Sequence, residues 1–82
     1  MNDATQTARL RFLCRRGMKE LDSILEPFFD TYYSQLTPSV QDQFAALVLV
    51  EEPQLWDWLV LKQTTEVPED LKTIVDYIIR VT

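Results

Sequence analysis

A chain of 82 residues, 46% hydrophobic and 26% charged, has the composition of one soluble globular core and too little length for a second, so a single domain over residues 1–82 is expected. It contains no histidine, one glycine and one cysteine, which excludes imidazole-based acid–base catalysis, His-containing triads, glycine-rich phosphate loops and an internal disulfide. The net charge of −5 is unevenly placed: residues 1–19 set Arg9, Arg11, Arg15, Arg16 and Lys19 against Asp3, while residues 20–82 carry a balance of −9, which argues against a general nucleic-acid surface.

Apolar residues recur at helical spacing almost throughout, no alternating run reaches strand length, and the expectation is an all-α bundle of about five short helices. Asp3 followed by Gln6 resembles a capping box, and Leu10, Leu13 and Cys14 form the apolar stripe of a first helix. Gly17 fits the C′ position after that helix, where a left-handed backbone lets the chain turn. Met18, Leu21, Leu25, Phe28 and Tyr32 then share one face of a second helix whose register crosses Pro27, predicting a kink or a fresh start there. Phe28-Phe29 and Tyr32-Tyr33 make two adjacent aromatic rows, read as core.

Thr37 as N-cap and Pro38 as first residue open a third helix lined by Val40, Phe44, Leu47 and Val48. Pro53 opens a fourth, with Leu55, Trp56 and Leu59 facing inward. Trp56 and Trp58 lie about 200° apart on a helix, so one packs while the other either lies along a groove or anchors a partner. Residues 63–67 form a loop. Pro68, Glu69 and Asp70 then start a last helix with Leu71, Ile74, Val75 and Ile78 inside.

Little here supports chemistry. The acidic pairs Glu51-Glu52 and Glu69-Asp70 sit beside prolines at helix starts, where carboxylates stabilise the dipole. Cys14 has arginines beside it, which favours a reactive thiolate, but its place on the Leu10–Leu13 stripe favours a small core residue. No segment approaches the ~18 apolar residues of a membrane span, the amino terminus lacks an apolar signal core, and a cytoplasmic location is expected.

The stretch CRRGMKELD, residues 14–22, is the unusual one. Were the first helix to reach Arg16, then Arg9, Phe12 and Arg16 would form a basic-aromatic surface opposite Leu10, Leu13 and Cys14. Gly17 removes a side chain at the corner, and Glu20 follows on the next helix start. Two readings stay open: a C-cap glycine beside a solvated Arg16–Glu20 pair, or a recognition corner for another protein.

Arg16-Gly17-Met18-Lys19-Glu20 resembles the Arg-Gly-x-x-Glu motif of the SdhE (YgfY) family, the FAD assembly factors of succinate dehydrogenase. Arg15, Leu21-Asp22, Pro27-Phe28-Phe29, Glu52-Pro53-x-Leu55 and Trp58-Leu59 also fall where that family has similar residues, so the resemblance covers roughly residues 8–61. Glu51-Glu52 in place of aspartates and Trp56 in place of a smaller aromatic are departures outside the motif. The resemblance implies a compact, non-enzymatic five-helix assembly chaperone, and a monomer is expected. It would bind the flavoprotein subunit of succinate dehydrogenase or fumarate reductase and promote covalent attachment of the client's FAD, with no cofactor held tightly by the helper. It carries over Arg16, Gly17 and Glu20 as partner-binding residues, with Arg9 and Met18 flanking them. The residues also admit a small acidic antitoxin or regulator that masks a basic partner, a nucleic-acid-binding helix over residues 9–19, and a flavin-transfer enzyme for which no site is evident.

Overall fold

The computed structural model describes residues 3–15 and 17–82, and all regular structure among them is helical. Helix α1 spans Asp3–Leu13, α2 Lys19–Tyr32, α3 Pro38–Leu47, α4 Glu52–Leu55 and α5 Lys72–Val81. Short 3-10 turns at Tyr33–Gln35 and Glu69–Leu71 extend α2 and introduce α5, and α4 runs on into a π-helical turn, Trp56–Val60. The all-α, five-helix expectation holds.

The helix starts differ in how local their signals are. Thr37 has the extended backbone of an N-cap, and its hydroxyl oxygen accepts from the Val40 N–H at 3.4 Å. Pro38 loses nothing in the first turn, where its missing N–H would lack an intrahelical partner anyway. At the start of α5 the cap comes from elsewhere: the Ile74 N–H donates to the side-chain carbonyl of Gln43, on α3, at 3.1 Å.

Helix α2 passes through Pro27 without stopping or restarting. Its buried face is the expected one, with Leu21, Leu25 and Phe28 at 0–1% exposure and Met18 and Tyr32 partly buried at its ends. Phe28 and Phe44 form the centre of the core, their ring centroids 5.7 Å apart. Around them Tyr32 stacks on Phe28 at 5.4 Å, Tyr77 meets Phe28 edge-on at 5.7 Å, and Phe29 and Tyr33 pack against Phe44. The two aromatic rows of α2 are therefore core residues, joining α2, α3 and α5. Leu71, Ile74, Val75 and Ile78 of the last helical segment are buried, as the spacing predicts.

The stripe expected on the fourth helix needs correction. Leu55 and Leu59 are buried, but their companion is Trp58, 6% exposed, whereas Trp56 is half-buried on the shoulder of the helix. The i, i+3, i+4 spacing of 55, 58 and 59 puts those three on one face, with Trp56 about 100° away from Leu55. Trp58 is thus core rather than an exposed anchor. The helix ends by widening: the Leu61 N–H donates to the Trp56 carbonyl at 3.0 Å, an i to i−5 bond, and the Gln63 N–H reaches the Asp57 carbonyl at 2.8 Å. Lys62 lies between these donors with φ 59°.

Candidate protein-docking site

The first helix presents two faces. Leu10 is 4% exposed and Cys14 fully buried, so Cys14 takes the core role that its place on the stripe favours. Arg9 and Phe12, three residues apart, lie on the exposed side, with Phe12 76% exposed. The helix stops at Leu13, before Arg16, because its last bonds tighten: the Cys14 N–H is shared between the Leu10 and Arg11 carbonyls, and the Arg15 N–H donates to the Phe12 carbonyl at 3.1 Å. Of the expected basic-aromatic face, the described residues show Arg9 and Phe12, both on α1. Arg16 itself, its expected pairing with Glu20, and the side chains of Asp3 and Gln6 lie outside the described residues.

Gly17 is not at the C′ position. It lies beyond Arg15 in the connection to α2, at φ 83°, a left-handed conformation that disfavours any residue with a β-carbon. A β-carbon built there meets nothing within 4 Å. Among the described residues nothing occupies that space, so the absent side chain makes room for no described part of the chain.

Met18 has extended backbone as the N-cap of α2, its carbonyl accepts from the Asp22 N–H at 2.9 Å, and its side chain is partly buried against the core. Glu20 follows in the first turn of α2, exposed and at the positive end of the helix dipole. The fold thus brings Gly17, Met18 and Glu20 together on one bend and places Arg9 on the helix leading to it.

Two ion pairs brace that arrangement, neither of them expected from sequence. Arg11 of α1 pairs with Asp30, and Arg15 in the connection pairs with Glu26 at 3.3 Å, both acids being on α2. Exposed pairs of this kind stabilise by only about 0–1 kcal/mol each, but they orient α1 against α2. The fold also adds a shallow groove beside Glu20, formed with Ile24 of α2, Leu59 and Val60 of the π turn, Lys62, and Thr82 at the chain's end. The approach of Lys62 and Thr82 to α2 has no local signal in the sequence.

A family model described as "Flavinator of succinate dehydrogenase", Sdh5, matches residues 8–82. The chain is 45% identical over 60 residues to the FAD assembly factor SdhE of Vibrio cholerae serotype O1, covering 73% of this chain and 70% of that protein. It is 40% identical over 60 residues to the FAD assembly factor SdhE of Aliivibrio fischeri, with the same coverage of 73% and 70%. With the FAD assembly factor SdhE of Coxiella burnetii it shares 38% identity over 74 residues, 90% of both chains. The likeness therefore runs past residue 61, where the motif-based resemblance ended, to the end of the chain. An all-helical chain with an open glycine bend, matched along nearly its whole length, belongs to the Sdh5 family of succinate dehydrogenase flavinators.

Proposed function

We propose that this protein is a FAD assembly factor: it binds the flavoprotein subunit of succinate dehydrogenase, or of the related fumarate reductase, and promotes covalent attachment of that subunit's FAD. The supporting observation is the bend itself, where Gly17 holds a left-handed backbone under open space and Glu20 stands exposed one helical start away. Arg9, Arg16, Gly17, Met18 and Glu20 form the contact, Arg16 by its place in the motif. The helper needs no catalytic residue. A chain without histidine supplies no imidazole base, and the bond to flavin is made by groups of the client. What the helper contributes is preferential binding to the client conformation in which the flavin and its acceptor side chain are aligned, which shifts the client's population towards reaction. To move a minor conformer from 1:99 to 99:1 takes about 5.5 kcal/mol of differential binding, within reach of a modest protein interface.

The test is covalent flavin, read as fluorescence of the denatured flavoprotein subunit from cells with the intact protein, without it, and with Glu20→Ala. Glu20→Ala removes an exposed side chain, so its helical circular dichroism and Tm should match the parent. Flavinylation should fall sharply without the protein and partially with Glu20→Ala. Equal fluorescence in cells with and without the protein overturns the proposal.

A further inference from the structure

We propose that Phe12 is the apolar anchor of the docking site, entering a carboxylate-rimmed apolar pocket on the flavoprotein subunit; this rests on the assembly-factor reading above and names a contact outside its motif. Three large hydrophobic side chains are exposed among the described residues, Phe12 at 76%, Leu49 at 67% and Leu61 at 51%, and Phe12 is the only aromatic one. Its exposure follows from α1's geometry. Leu10 and Phe12 are two residues apart, about 200° around the helix, so burial of Leu10 turns Phe12 outward. Nor is α1 a loose end at this point. Cys14 is fully buried just after it, Arg11 and Arg15 flank Phe12 in sequence and pair with Asp30 and Glu26 of α2, and the Phe12 carbonyl is itself bonded in the tightened last turn. An aromatic ring has few rotatable bonds, so it loses little conformational freedom on binding, and such residues recur as interface anchors.

Charge identifies the kind of surface it meets. The segment around Phe12 is the basic part of an otherwise acidic chain; Arg11 and Arg15 are matched by Asp30 and Glu26 of α2, so the charge presented beside the ring on the exposed side of α1 is that of Arg9. A partner patch that accepts the ring and complements this side is apolar at its centre and acidic at its rim. Single-stranded nucleic acid would also stack on an aromatic ring among arginines, but the balance of −9 over residues 20–82 repels its phosphates, which favours a protein pocket.

The experiment titrates the full-length protein against the purified, FAD-loaded but not yet flavinylated flavoprotein subunit of succinate dehydrogenase, comparing the parent with Phe12→Ala, Glu20→Ala and Leu49→Ala. Phe12→Ala should raise Kd by about thirtyfold, as for an anchor residue, with an unchanged Tm. Leu49→Ala, which removes a comparably exposed side chain from the connection between α3 and α4, should leave Kd unchanged. Binding should also weaken as salt is raised, and more steeply for the parent than for Arg9→Ala. If Glu20→Ala weakens binding while Phe12→Ala matches the parent, the anchor is disproved and the docking bend stands. If the parent itself does not bind the subunit, the assembly-factor reading fails first. A drop in Tm with Phe12→Ala assigns the ring to folding, and tight Phe12-dependent binding of a single-stranded oligonucleotide assigns it to nucleic acid; either result overturns the proposal.

Discussion

Among the described residues two hold a left-handed backbone, Gly17 at φ 83° and Lys62 at φ 59°, and they fit their positions unequally. Glycine adopts this region freely, whereas a β-carbon makes it cost roughly 1–2 kcal/mol. Lys62 stands where helix-terminating motifs usually place glycine, bridged by the bond from the Gln63 N–H to the Asp57 carbonyl. Lys62→Gly should therefore stabilise the fold by about 0.5–1 kcal/mol, raising Tm by a few degrees, while Gly17→Ala should lower it by a similar amount; thermal unfolding of both variants checks the pair. The Gly17 half bears on function as well. A substitution at that bend disturbs the backbone as well as any docking surface, which is why Glu20 and Phe12, both exposed on regular helix, are cleaner probes of binding. That Gly17 needed an unusual backbone was legible from its being the one glycine, but its distance from α1 was not, since the burial of Cys14 and the tightening of the last turn end the helix early.

At the scale of elements, local signals marked helix starts well and long-range ones not at all. Thr37-Pro38 caps α3 through contacts within a few residues, so the amino acids themselves announce it. The start of α5 depends instead on Gln43, 31 residues away, whose side chain accepts from the Ile74 N–H. Gln43→Ala leaves that amide without its partner and should cost about 0.5–1.5 kcal/mol, with faster hydrogen exchange at the Ile74 amide than in the parent. Unchanged exchange there would show that water or a neighbouring carbonyl substitutes for Gln43. Helix α4 shows the same division: its opening beside Pro53 was readable, whereas the choice of Trp58 over Trp56 for the interior depended on which face met the core.

For the molecule as a whole, the aromatic cluster is the principal tie between helices. Phe44 is fully buried and touches Phe28, Phe29 and Tyr33 of α2 and its 3-10 extension. Phe44→Ala should cost about 3–5 kcal/mol, through lost burial and the cavity left behind. A chain of this size has a total stability of only about 4–12 kcal/mol, so the variant should unfold at much lower urea than the parent, with a substantial unfolded population at 37 °C if the parent is near the low end. A midpoint close to the parent's would mean that the surrounding rings collapse into the space.

Composition and periodicity by themselves determined that the chain is helical, which faces of α1, α2, α3 and α5 turn inward, and that histidine-based chemistry is absent, because these follow from residue type and from spacing along a regular helix. The motif around Gly17 already pointed to the family. Tertiary structure alone decided where α1 ends, that Arg11 and Arg15 brace it through Asp30 and Glu26, and that Glu20 shares a groove with Lys62 and Thr82. Those outcomes join residues far apart in the chain, and no local spacing encodes a contact whose partner is chosen by how helices pack.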